Sequence, residues 1–129
     1  MGLSVTSADS RGAAIRLVVA DDDEGARAVL RVLFEEHEAH VVAEAADGLE
    51  AVAVALEHAP DLILLDVHMP RLDGLQAALR IREASPETTI VLHRGELTDE
   101  ISAQARKLGL RVLAKSAFDD DCSAGLLTL

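Results

Sequence analysis

Five short apolar runs alternate with five segments of helical periodicity along this chain, and that alternation limits the folds open to it. "IRLVVA" (15–20), "HVVAEA" (40–45), "DLILLD" (61–66), "TTIVLH" (88–93) and "LRVLAK" (110–115) read as strands. After the first, "EGARAVLRVLFEEH" carries Ala26, Val29, Leu30, Leu33 and Phe34 at helical spacing. Asp47 and Glu50 form a capping-box start for a second helix over Leu49, Val52, Ala53 and Leu56. A third helix spans Gly74 to Ala84 and stops at Ser85-Pro86. A fourth runs from a cap at Thr98 or Asp99 through Leu108 and ends at Gly109. From about Phe118 a short last helix follows.

Central strands that are apolar on both faces need helices on both sides, so the pattern predicts an α/β fold with a parallel sheet. Right-handed crossovers favour a doubly wound, flavodoxin-like (βα)5 arrangement with strand order 2-1-3-4-5. Residues 1–14, "MGLSVTSADSRGAA", are small, polar and aperiodic and read as a flexible leader, leaving 15–129 as one domain. Half of the 129 residues are hydrophobic, enough for a core without staples. With two Phe and neither Tyr nor Trp, that core is built of Leu, Val, Ile and Ala.

Composition also excludes some functions. Twenty-three acidic residues against 12 basic ones leave a formal net charge of −11, with no basic stripe and no aromatic platform. Direct nucleic-acid binding by this domain is therefore not expected. No apolar run approaches a membrane span, and no signal-peptide core is visible. The single cysteine, Cys122, suits a reducing, cytoplasmic setting and reads as a packing residue.

In a sheet of this order the active edge lies at the carboxyl ends of the strands, beside the switch point between strands 1 and 3. Asp21, Asp22 and Asp23 follow the first strand, Asp66 closes the third, His93 the fourth and Lys115 the fifth. Asp23 doubles as a candidate helix cap. Converging carboxylates repel one another unless a cation intervenes. Hard oxygens with room for water suit Mg²⁺ (or Mn²⁺). An Asp beside such an ion, with a lysine to receive a new anion, is equipped for in-line phosphoryl transfer.

"VVADDDEGAR", "LILLDVHMPRLDGL" and "VLAKSA" resemble the receiver domain of bacterial two-component response regulators, over nearly all of the chain from Ile15. The resemblance implies a phosphoaccepting signalling domain rather than an enzyme acting on a separate substrate. Asp66 would be the phosphoacceptor and Lys115 the partner of the phosphoryl group. Asp21, Asp22, Asp66 and the backbone carbonyl of His68 would hold the metal. Asp73 would cap the third helix. The donor would be a sensor histidine kinase or phosphotransfer protein. A homodimer, an output domain or a partner would use the face made by helix 4, strand 5 and helix 5. "KSA" resembles receivers that precede helix-turn-helix domains, so such an effector would lie outside this sequence, unless the domain acts alone.

The sequence departs from that family at its switch positions. Receivers normally end the fourth strand in Thr or Ser; counting back from Lys115, that position is His93, and the small residue after it is Arg94. The aromatic of the fifth strand is Val112, and the Pro after the lysine is Ser116, for which a trans peptide is expected. His93 could donate to a phosphoryl oxygen, hydrogen-bond Asp66, or simply sit half-exposed. Arg94 could be a plain loop charge, or it could cover Asp66 or pair with it, a contact that would mimic or block the phosphoryl group.

Three other readings compete. A pseudo-receiver would keep the acidic pocket as a phosphorylation-independent interaction module. A dehalogenase-like phosphatase needs an Asp two residues after its nucleophile, where His68 stands. A dinucleotide site needs a G-x-G-x-x-G turn, where "ADDDEGA" offers carboxylates. His37, His40 and His58 read as surface polar residues, and Asp119 to Asp121 as favouring the N-terminus of the last helix.

Overall fold

The computed structural model describes residues 14–127, so the leader reading falls almost wholly outside the described residues. The strands are β1 (Ile15–Ala20), β2 (Ala39–Ala45), β3 (Leu62–Asp66), β4 (Thr89–Arg94) and β5 (Arg111–Ala114). The helices are α1 (Glu24–Glu35), α2 (Gly48–His58), α3 (Gly74–Ala84), α4 (Asp99–Lys107) and α5 (Asp120–Leu126). The strands form one parallel sheet in the order β2-β1-β3-β4-β5, the doubly wound topology the alternation predicts.

Local chemistry sets most helix starts. Asp23, Asp47, Asp73 and Thr98 each accept a backbone N–H of the helix that follows. Asp119 does the same for α5 by accepting from Cys122. Glu50 reaches back to the Ala46 N–H, completing the reciprocal cap of α2.

Strand alternation divides the core. Val18, Ala20, Ile63, Leu65 and Leu92 face α2, α3 and α4, where Ala51, Ala55, Ala77 and Ala78 keep the helices close to the sheet. Leu17, Val19, Leu64 and Val91 face the other way, onto Leu30 and Phe34 of α1 and Leu126 of α5. Val29 does not join this core, contrary to the helical spacing: it is 65 % exposed, as α1 turns Leu30 and Phe34 inward instead.

Two glycines are fixed by close approach. A Cβ on Gly74 would lie 2.1 Å from the carbonyl oxygen of Asp66, and one on Gly48 would lie 1.8 Å from that of Leu72. The loop after β3 is thus pressed between α2 and the end of its own strand, and Arg71 ties it to Asp47 at 3.3 Å. That loop carries the residues around Asp66.

Candidate functional site

Asp21 extends β1 by one residue, its N–H bonded to the Ala45 carbonyl at 3.0 Å. Its side chain is fully buried, and its Oδ1 accepts the Asp23 N–H at 2.9 Å. Its carbonyl accepts from the Arg27 guanidinium at 2.7 Å. Arg27 and Arg31 both pair with Glu44 on β2, which locks the backbone of Asp21 from the far side. No sequence signal marks this brace, because Arg27 and Glu44 belong to different elements.

Asp66 closes β3 at 4 % exposure, and its Oδ1 accepts the His68 N–H at 3.1 Å. Lys115 does not end β5 but opens a single 3₁₀ turn, Lys115–Ala117, after it. Its Nζ lies 2.7 Å from Asp21 Oδ2 and 3.5 Å from Asp66 Oδ2. The first contact is an ion pair without good hydrogen-bond geometry, so Asp21 Oδ2 is buried with no other partner. Asp22 is exposed at the mouth, and oxygens of Asp21, Asp22 and Asp66 lie within 4.8 Å of one another.

One ammonium cannot neutralise two buried carboxylates, and this one lies nearer Asp21. Burial pushes Asp66 up to about 6, aided by the charge of Asp21 and only partly countered by the His68 N–H and Lys115. Burial also pushes Asp21 up, but Lys115 and the Asp23 N–H win, holding it below the usual carboxylate range. Lys115 sits above its ordinary value because its two carboxylates outweigh its own desolvation.

The β4 side differs from the sequence expectation. His93 is neither half-exposed nor directed at Asp66: it is fully buried, with Nδ1 3.8 Å from Asp21 Oδ2. Its ring stands edge-on to Phe118 at 5.8 Å, a partner the sequence did not reveal. Neither ring nitrogen makes a hydrogen bond of good geometry, the Ala20 backbone being the nearest candidate partner. Burial depresses its pKa to about 4, against the pull of Asp21, so at neutral pH the imidazole is uncharged and the 3.8 Å approach is no ion pair.

The register explains this placement. His93 pairs with Leu113, and both face α1 and α5; Arg94 pairs with Ala114 one step on, facing as Leu92 and Val112 do. A hollow of about 420 Å³ opens above Asp66, lined by Asp22, His68, Arg94, Gly95 and Lys115 as well. Neither His93 nor Val112 lines it. Val112 is half-buried and packs toward α4. No cis peptide occurs among the described residues, so the bond into Ser116 is trans as expected.

A family model, the response regulator receiver domain, matches residues 17–121. The chain belongs to the response-regulator receiver family. A receiver of this kind is a signalling domain. This one is 32% identical over 97 residues to the chemotaxis protein CheY of Listeria monocytogenes, covering 71% of this chain and 82% of that one. It is 40% identical over 87 residues to a protein-glutamate methylesterase/protein-glutamine glutaminase of Haloarcula marismortui. There the receiver match covers 66% of this chain but 24% of that protein, and 37% of a Bacillus subtilis transcriptional regulatory protein. Among solved structures, the signal receiver domain of the putative response regulator NarL from Mycobacterium tuberculosis superposes with a TM-score of 0.79 at 32% identity. That superposition covers 89% of this chain and 94% of that one. The response regulator domain of Thermotoga maritima CheB gives 0.75 at 30%, covering 89% and 92%. No helix among the described residues is long and apolar enough to cross a membrane.

Proposed function

We propose that this receiver is a phosphoacceptor switch in the cytoplasm, phosphorylated on Asp66 by a sensor histidine kinase or phosphotransfer protein. The observation that supports it most is the meeting of Asp66, Asp21, Asp22 and Lys115 at one sheet edge. Three carboxylates with one lysine form an all-oxygen, electron-rich mouth that fits Mg²⁺ or Mn²⁺. Asp21, Asp22, Asp66 and the His68 carbonyl would hold the ion, which when bound would draw charge from the phosphoryl oxygens. At pH 7 Asp66 is mostly ionised despite its raised pKa, so a carboxylate oxygen is free to attack phosphorus in line with the donor's leaving group. The donor's leaving group departs with the electrons of its bond to phosphorus, and Lys115 would pair with the charge that the phosphoryl oxygens bring onto Asp66. The face of α4, β5 and α5 would carry the message to an output domain, a partner or a second copy.

Intact-mass measurement with a small acyl phosphate and Mg²⁺ tests the reading. Wild type should gain one phosphoryl group and Asp66→Asn none. Broadening of NMR signals by Mn²⁺ should centre on residues 21, 22 and 66 and disappear in Asp22→Ala. Metal binding without modification, even by a cognate kinase, would favour the alternative, a phosphorylation-independent pseudo-receiver that serves as an interaction module. The rim that half-buried Arg94 and exposed Gly95 and Glu96 form over Asp66 is the observation on that side.

A further inference from the structure

Resting on the phosphoacceptor reading, we infer that Arg94 is a phosphoryl-binding residue, supplying a second cationic arm opposite Lys115. Three observations converge on it. Strand register gives Arg94, not His93, the face that β4 shares with Val112, and Arg94 lines the hollow above Asp66. The following residue is Gly95, where an added Cβ would meet nothing within 4 Å, so the rim beside the guanidinium is open to an incoming group. The Arg94 Nη1 is shut away from solvent and has no hydrogen-bond partner. A charged donor left in that state is costly, and a swing of the guanidinium toward an oxyanion in the hollow would relieve it.

The charges of the site call for such an arm. Lys115 is already shared between Asp21 and Asp66. With a divalent ion present, the three clustered carboxylates are balanced by that ion and the lysine, while the exposed Glu96 on the rim of the hollow adds only further negative charge. Phosphorylation replaces the monoanionic Asp66 carboxylate by a dianionic phosphoryl group, which leaves one negative charge unmatched. The Arg94 guanidinium cancels it. Its planar fork can also present two N–H groups to two phosphoryl oxygens, where a hydroxyl presents one. The arm therefore acts on the phosphorylated form and adds nothing to metal binding, which a nearby cation opposes.

The test uses beryllofluoride, which stands in for the phosphoryl group on Asp66, and compares its binding with that of Mg²⁺ alone by amide NMR shifts. Arg94→Gln should weaken beryllofluoride by about tenfold, the effect of losing one charge-assisted hydrogen bond. The same change should leave Mg²⁺ affinity equal or about threefold tighter, since a repelling charge has gone. Arg94→Lys, which keeps the charge without the fork, should fall between. Equal or tighter beryllofluoride binding by Arg94→Gln would overturn the inference and make the arginine an obstruction. Parallel weakening of both ligands would overturn it too, as a structural effect. If wild type binds Mg²⁺ but no beryllofluoride, the phosphoacceptor reading fails and this inference with it.

Discussion

Lys115 lies closer to Asp21, at 2.7 Å, than to Asp66, at 3.5 Å. The lysine thus sides with a candidate metal ligand and leaves Asp66, the candidate acceptor, under-neutralised, which is why the two neighbouring carboxylates shift in opposite directions. An ion arriving at Asp21 competes with the ammonium and frees it for an anion on Asp66.

Replacing Lys115 by Met should therefore lower the stability of the fold mainly when no metal is bound. The buried Asp21 loses its counter-charge, and because Lys115 is one-third exposed the loss should be about 2 kcal/mol, less than for a fully buried pair. Saturating Mg²⁺ should restore most of it by binding the same carboxylates. Thermal melts with chelator and with Mg²⁺ check this; an equal deficit in both would show that the lysine's role is packing.

Two buried groups make opposite contributions to the pH dependence of stability. Folded Asp66 keeps its proton up to about pH 6, against 3.8 for the ordinary carboxyl. Between those values the folded state holds the extra proton, so stability from this group falls as pH rises and is lowest above 6. Folded His93 stays neutral down to about pH 4, against 6.5 for the ordinary imidazole. Between those values the unfolded state holds the extra proton, so stability from this group falls as pH drops. The slopes cancel between about pH 4 and 6, and wild type should be nearly flat there. Asp66→Asn should be about 2–3 kcal/mol more stable than wild type at pH 7 and equal to it near pH 4. His93→Leu should show the reverse slope, gaining stability as pH falls from 6 to 4. Urea titrations over this range decide it; identical wild-type and Asp66→Asn values at pH 7 would contradict the burial argument.

Gly74→Ala should cost 3 kcal/mol or more, roughly the cost of a severe backbone clash, since its Cβ would meet the Asp66 carbonyl at 2.1 Å. It should also displace the Asp66 and Val67 amide resonances. Gly125→Ala meets nothing within 4 Å and, lying in α5, should be neutral or gain up to about 1 kcal/mol. Denaturation midpoints and amide spectra of the pair provide the comparison.

Wild-type beryllofluoride shifts should stay near the site, because Val112 offers no aromatic ring to move and Arg94 no compact hydroxyl. Arg94→Thr combined with Val112→Tyr should extend the shifts toward residues 99–118. His93→Thr with Val112→Tyr should not, since His93 lies on the other face of the sheet. Large wild-type shifts across α4 and β5 would show that the arginine transmits by itself.

The order of elements, the sheet topology, the helix caps and the meeting of Asp21, Asp22, Asp66 and Lys115 were all legible in the sequence. Each depends on a local signal: an apolar run, a capping side chain, or a polar residue at a strand's carboxyl end. The resemblance around "LILLDVHMPRLDGL" added roles to residues whose placement the alternation had already implied. The brace from Glu44 through Arg27 to Asp21, and the ring of Phe118 beside His93, carry no such signal because their members are distant in sequence.

What only the tertiary structure decided was the side on which each residue falls and the partner each charge takes. The sequence reading ended the fourth strand at 93, whereas β4 runs to Arg94. In a strand with a two-residue period, a shift of one position exchanges the faces. That exchange buries His93 against Asp21 and gives Arg94 the hollow above Asp66. Val29 was likewise misplaced, because helical spacing defines a stripe but the packing against β1 and β2 chooses its centre. The lysine's preference for Asp21 depends on a difference of 0.8 Å between two contacts, 2.7 against 3.5 Å. Composition and periodicity bring charges to one edge; the order in which they neutralise one another depends on distance and burial, which exist only once the sheet is assembled.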